Sequence, residues 1–547
     1  MNKRHLLYIT GAIFFLSIIL TFFNYIWIKD NLSHIPPPWD QSFYIYMGLN
    51  EYDALMNGNI HGFIKTIIRQ APNLAPLFPV TTVPFFILFG PGIHTAYLAN
   101  SLYLFILLVS LFLITDRLAG RTAAMFSIFL AVTFPAIITY SRDYMFEFPL
   151  ASLTALSYLF MLKSDSFRCR GYSLLSGFCA GLSVLVKTMG IVFFVFPFLY
   201  AVYIFTRSLA TTTARKNILY FLSVFFITIS IFFIFNYNEI LKYLLYYGFG
   251  EGSKNYNFGM PDMFSFQYWA IYLKHIAGKG ISYGYAIIFI GTAISAFCFR
   301  DRRFSQDYRM VWLWFITGYI LLSLSPNKGG ERYALPILVP LASLLAVHIM
   351  QMSGRVLKSV IILLAVLIGI INYSYHTLSD QCRYKQFSIA GVNILEPLHA
   401  SCIMQEEVLE PHDKNWDVTQ IARAIENLAQ GHFRTVHVLI AFDHHFLNIN
   451  TLMLYQKIDK INGVSHINFI FEKLPGNPVP EDEIRKSMER SQFIVTKNGF
   501  QGPVFSNGNN DIVKNALKDR TPAESFTMSD GSEVFLYSFI NLANDYR

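Results

Sequence analysis

Two short acidic stretches in a strongly apolar chain are the first places where chemistry could be done. One is Trp39-Asp40-Gln41-Ser42-Phe43-Tyr44, after the triple proline Pro36-Pro37-Pro38. The other is Ser141-Arg142-Asp143-Tyr144-Met145-Phe146-Glu147-Phe148-Pro149-Leu150. An Asp at mid-bilayer costs roughly 2.5–3.5 kcal/mol on insertion scales, so a carboxylate at the edge of an apolar bundle needs a reason. The ordinary reasons are local. Asp40 could cap the amphipathic stretch 41–56, and Asp143 and Glu147 could be caps or partners of Arg142. The chemical reason is that both stretches lie on one face of a membrane and could converge on one cavity. A third cluster, Asp443-His444-His445, has metal-ligand and acid–base side chains, but at a strand end such a cluster is more often a solvated turn.

The elements that must position these groups are mostly membrane helices. Only 14% of the 547 residues are charged, 54% are hydrophobic and Phe occurs 52 times. A soluble globule carries about 25% charged residues. A bilayer core of about 30 Å needs roughly 20 apolar helical residues. Runs near that length occur at 5–28, 93–115, 121–140, 146–163, 171–187, 189–206, 216–236, 281–299, 310–325, 332–350 and 356–374. The first is too long for a secretory signal and no A-x-A site follows it, so it is expected to stay as a helix with a cytosolic N-terminus. The run 74–90, with Pro76, Pro79 and Pro84, is ambiguous.

Charge decides the ambiguity. If 74–90 does not cross, Arg117, Arg121, Lys163, Arg168, Arg170, Arg207, Arg215, Lys216, Arg300, Arg302, Arg303, Arg309, Arg355 and Lys358 all share the N-terminal side. Lys and Arg concentrate in short cytosolic loops. The sequence therefore predicts about eleven spans, with 74–90 as an interfacial or re-entrant piece. The links 29–92, 141–147 and 237–280, and everything after 375, fall outside. The net charge of +8 is explained by this topology, and nucleic acid is excluded as a partner.

Beyond residue 375 the composition becomes that of a soluble protein. Candidate strands at Thr435–Ala441, His466–Phe471, Gln492–Lys497 and Glu533–Phe539 alternate with helical patterns near 417–429, 448–458, 480–490 and 509–518, which predicts an α/β domain at 376–547. No Gly-rich phosphate loop follows a strand. The five cysteines show no zinc-type spacing, so no metal site is assigned. Cys382 and Cys402, both on the outer side, are free to bridge.

Five segments in order resemble the GT-C superfamily of membrane glycosyltransferases, in particular the bacterial aminoarabinose transferases and protein O-mannosyltransferases. They are Asp40 to Gly58, with D-x3-Y and a later N-G; Pro76 to Gly90, ending in L-F-G; Glu147-Phe148-Pro149-Leu150; Leu185-Val186-Lys187-Thr188; and Lys328 through Arg332-Tyr333-Ala334-Leu335-Pro336. The resemblance covers about residues 5–375 and implies a polytopic GT-C-like domain at 1–375. Glu147 stands where the family usually has Asp, which leaves Asp143 as a competing carboxylate. Gln41 replaces a second acidic residue, so no cofactor is required and a divalent cation stays open.

The resemblance implies an inverting-type transfer of a sugar from a polyprenyl-phosphate carrier to an extracytosolic lipid, glycan or protein, in the bacterial inner membrane. A carboxylate within about 2.6–3.2 Å of an acceptor hydroxyl can remove its proton. Asp40 is the candidate, with Glu147 and Asp143 as the other catalytic carboxylates. Lys187, Lys328 and Arg332 are candidates to hold the departing phosphate, and Tyr44 and Tyr333 join them as substrate-binding residues. The plain alternative for the basic residues is snorkelling at span ends. The tyrosines and His275 of link 237–280 read as an interfacial belt, or as a lid. A transporter or flippase of lipid-linked substrates is the competing class, and a non-catalytic assembly partner a third.

Overall fold

The computed structural model describes residues 3–206, 212–254, 263–298, 305–328, 330–378, 387–389, 392–395, 416–429, 433–465, 467–473, 479–499, 501 and 504–539. Cys382 and Cys402 lie outside them. The chain is mostly helical and divides into two units. One comprises Met1–Asn24, Ile67–Thr81 and Leu98–Glu407; the other comprises Tyr25–Thr66, Thr82–Tyr97 and Val408–Arg547.

The first unit carries most of the predicted membrane helices. Among the described residues six helical segments are long and apolar enough to cross a bilayer: Leu7–Leu32, Ile93–Ala119, Thr188–Thr206, Thr212–Gly248, Glu331–Met350 and Arg355–Leu378. Shorter apolar helices occupy Leu77–Phe89, Arg121–Val132, Arg170–Val186 and Tyr283–Ala296. All eleven predicted runs are helical, but the length criterion does not fix eleven crossings. The expected span at 216–236 needs correction: no Gly or Pro interrupts it, and the helix runs on for 37 residues to Gly248. At 1.5 Å per residue that is about 55 Å, longer than the hydrocarbon layer. Tyr243, Tyr246 and Tyr247 are therefore helical rather than part of a loop.

Small residues let two of these helices approach closely. A Cβ on Gly177 would sit 2.3 Å from the Phe221 carbonyl oxygen, and one on Gly181 would sit 2.6 Å from Thr228. The G-x-x-x-G spacing puts both on one face of the Arg170–Val186 helix, against the Thr212–Gly248 helix. The Leu335–Met350 helix is buried along almost its whole length. Pro336 is tolerated in its first turn, where the amide has no helical acceptor.

The second unit holds the α/β sheet. Counting strands in chain order, Phe387–Ile389 (β1) and Val392–Leu395 (β2) form a separate antiparallel pair in the first unit. The main sheet contains Thr435–Ile440 (β3), Asn468–Lys473 (β4), Phe493–Lys497 (β5), Glu524–Thr527 (β6) and Glu533–Ser538 (β7), in the order β4-β3-β5-β7-β6. The β3–β4 and β3–β5 pairs are parallel, and β7 runs antiparallel to β5 and β6. Alternation explains the two faces. Val436, Val438 and Ile440 pack with Ile421, Ile425 and Leu452, whereas Leu439 and Ile494 pack with Ile484 and Val513. Strand β6 was missed in the sequence because its exposed edge shows little hydrophobic alternation.

In this unit the Trp39–Met56 helix packs against the Ile449–Ile461 helix. Lys457 Nζ lies 2.7 Å from Asp53 Oδ2, tying the two helices together. Ile35 adds an apolar contact to the sheet core.

Candidate active site

In the first unit, the sequence-selected groups Glu147, Asp143, Lys187, Arg332 and Tyr333 come together. Glu147 opens the Glu147–Lys163 helix, where the helix dipole favours an anion. Its carboxylate is fully buried, 2.6 Å from Lys187 Nζ and 3.6 Å from Arg332 Nε. Lys187 reaches it because the Arg170–Val186 helix ends there in an extended residue (φ −151°, ψ 122°), before a 3₁₀ turn begins at Thr188. Tyr333 completes the group. Lys187 Nζ lies 4.7 Å and Arg332 Cζ 4.9 Å from its ring centre, and Arg332 Nη2 donates to its hydroxyl at 3.1 Å.

Asp143 is fully buried in the connection ahead of this helix, and its carbonyl accepts from Asn100 Nδ2 at 2.7 Å. Burial and then the Glu147 charge push its carboxyl well above the usual range, against the opposing pull of Arg332. Arg142 is also buried, and donates to Asn24, the His376 carbonyl and Thr377. Phe78, from the proline-rich segment, stacks on Tyr144 at 4.4 Å and supports the same connection.

Tyr140 and Glu331, which sequence reasoning passed over, join the group, and so does His275, read from sequence as part of a belt or lid. Tyr140 donates to Glu331 Oε1 at 3.1 Å, and His275 Nδ1 lies 3.9 Å from Glu331 Oε2. The only sequence signal for Tyr140 and Glu331 is a charged pair, Glu331-Arg332, immediately before a long apolar run. Lys328 is placed differently from Lys187. It is buried, donates to the Ser323 carbonyl at 2.7 Å, and faces the rings of Tyr268 at 3.8 Å and Tyr272 at 5.3 Å. Burial pushes its ammonium down to about 8.

Asp40 and Tyr44 belong to the second unit. Asp40 is exposed in the first turn of the Trp39–Met56 helix, whose N-cap position is Pro38, so Asp40 is not the cap. Tyr44 is buried, and the neighbouring Gln41 accepts from the Tyr97 hydroxyl at 3.1 Å. The Asp443-His444-His445 cluster is not the solvated turn expected of a strand end: all three residues are buried. Burial lowers both imidazoles, His445 to about 3. Among the described residues no group of three His, Cys, Asp or Glu side chains could hold a metal ion.

Residues 73–235 match the family model of the dolichyl-phosphate-mannose-protein mannosyltransferases. Among solved structures, the chain resembles ArnT from Cupriavidus metallidurans bound to undecaprenyl phosphate, with a TM-score of 0.56, 13% identity, and 98% of each chain covered. The apo form of that protein gives a TM-score of 0.54 at 13% identity, with 97% of each chain covered. No curated protein matches in sequence. The chain therefore shares the fold of ArnT over nearly its whole length, and its residues 73–235 carry the pattern of the mannosyltransferase family model.

Proposed function

We propose that this protein transfers a sugar from a polyprenyl-phosphate-linked donor to an extracytosolic acceptor. The buried Glu147–Lys187–Arg332 constellation carries the reading, because cations held in a low-dielectric setting are what a departing phosphate requires. Asp40 takes the proton of the acceptor hydroxyl as that oxygen attacks the anomeric carbon. The bond from that carbon to the phosphate oxygen breaks, the configuration inverts, and the electron pair leaves on the phosphate. Lys187 and Arg332 neutralise that charge. Lys328 adds to them while protonated, and Tyr44 and Tyr333 line the substrate.

The likeness to a protein crystallised with undecaprenyl phosphate supports a polyprenyl carrier. On this reading residues 1–375 are the transferase domain and 376–547 an extracytosolic domain of a bacterial inner-membrane enzyme. A flippase reading is less well supported, because the charges stand at helix ends rather than along a route through the bundle. Purified protein should transfer sugar from a defined polyprenyl-phosphate-sugar and release polyprenyl phosphate. Movement of intact donor across vesicles without that release would favour the flippase.

A further inference from the structure

We propose that the Asp443–Asn448 loop of the second unit, together with Asn450 in the helix turn that follows it, is a positioning clasp for Asp40, acting through Trp39. The proposal rests on the reading of Asp40 as the base. Trp39 has φ +27°, a backbone conformation that a residue with a side chain keeps only when its surroundings over-determine it. Here they do. The Trp39 amide donates to the His445 carbonyl at 3.3 Å, its indole Nε1 donates to the Asp443 carbonyl at 3.2 Å, and its own carbonyl accepts from Asn450 Nδ2 at 3.3 Å. The indole also lies 5.7 Å from the His445 ring.

The loop is itself fixed from behind. Asn448 is fully buried; its Nδ2 donates to the carbonyls of His444 and His445, and its Oδ1 accepts from the amides of Asn450 and Thr451. The His444 ring stacks on Trp416 at 4.8 Å. Lys497, fully buried at the end of β5, pairs with Asp530 at 3.1 Å, and Asp530 lies 4.0 Å from His444. The peptide before Asp40 is thus set by a polar network in the soluble sheet, and the Asp53–Lys457 pair holds the far end of the same helix. Asp40 follows Trp39 directly in the chain, so the held Trp39 backbone fixes where the Asp40 main chain lies. A shift of about 1 Å in a catalytic group can cost on the order of 10²-fold in rate.

Asn450→Asp keeps the shape, removes the donor to Trp39, and places an acid in the first turn of the Ile449–Ile461 helix, where acids favour folding. Trp39→Phe keeps a ring and removes the indole donor. Measured in full-length protein with a polyprenyl-phosphate-sugar, both should lower kcat by about 10–100-fold. KM for the donor should be little changed. With rates taken per folded enzyme, a fall in kcat at unchanged KM is an outcome that a purely structural role does not produce. Asp40→Asn is assayed beside them. If it is inactive while both other variants keep kcat within about twofold, the clasp is wrong and the base assignment stands. If Asp40→Asn is itself active, the base assignment fails and takes the clasp with it. If Asn450→Asp does not fold, Trp39→Phe decides.

Discussion

Lys187 Nζ lies 2.6 Å from Glu147 Oε1, with the carboxylate fully enclosed and the lysine only slightly exposed. Removing one partner of a buried pair strands the other charge, at about 3–5 kcal/mol. Glu147→Gln should therefore lower the thermal midpoint of the purified protein and its transfer rate together. Glu147→Gln combined with Lys187→Met should recover part of the stability but not the activity. Additive stability losses in the double variant would show that the two groups are not coupled.

Asp40 should behave in the opposite way. It is exposed, so Asp40→Asn should leave the melting temperature within about a degree and lower transfer by 10²–10⁴-fold, the range for loss of a general base. A variant that keeps a third of the activity would reduce Asp40 to a helix-end acid.

The helix contact at Gly177 makes a prediction about packing alone. Its Cβ would press on the Phe221 carbonyl oxygen, which belongs to a helix backbone and cannot swing away. Gly177→Leu should destabilise the bundle by about 1–3 kcal/mol or more. Gly171→Leu, at a position with open space, should be near neutral. Equal melting temperatures for the two would contradict the close approach.

The soluble sheet should lose stability in acid. Lys497 and Asp530 flank His444 and His445, and the folded form keeps both imidazoles neutral well below their usual pKa. The unfolded chain binds protons on them below about pH 6.5. Stability from these groups is thus complete above that pH and falls as pH drops towards 3, by about 1.4 kcal/mol per pH unit for each histidine. Hydrogen exchange of β3 and β5 in the full-length protein, followed from pH 7 to 5, should accelerate on acidification. Flat protection over that range would mean the histidines are already charged.

Topology is open to direct measurement. Reporter fusions should place the N-terminus and the links around Arg302 and Arg355 in the cytosol, with residues after 375 outside. Alkylation before and after reduction tests the Cys382–Cys402 bridge. A C-terminal reporter active only in the cytosol would remove both the topology and the transfer mechanism.

Much of this was legible in the sequence because it is local. Apolar runs of membrane length became helices, and the alternating segments became β3, β4, β5 and β7. The Glu147 segment stood out as an acidic stretch at the edge of apolar runs, and the Arg332 segment through its resemblance to the glycosyltransferase family. What escaped depends on partners far away in the chain. Nothing near Glu331 announces Tyr140, 191 positions earlier, and nothing near Lys328 shows that Tyr268 and Tyr272 will enclose it. His444 and His445 look like a polar turn until Trp416 stacks on the first and Trp39, some 400 residues away, lies against the second. The long Thr212–Gly248 helix was cut short because polarity was taken as its end, while the backbone continued to the first glycine.

The grouping of Tyr25–Thr66 with Val408–Arg547 has a consequence for biogenesis. The early segment leaves the ribosome long before its partner exists. At about 5–20 residues per second, the roughly 340 intervening residues take on the order of 20–70 s to synthesise. Throughout that interval the Trp39–Met56 helix has no Ile449–Ile461 helix to pack on, and Trp39 has no loop to hold its backbone. The second unit therefore ripens last, and a stalled or truncated chain inserts its membrane helices without acquiring a finished first loop.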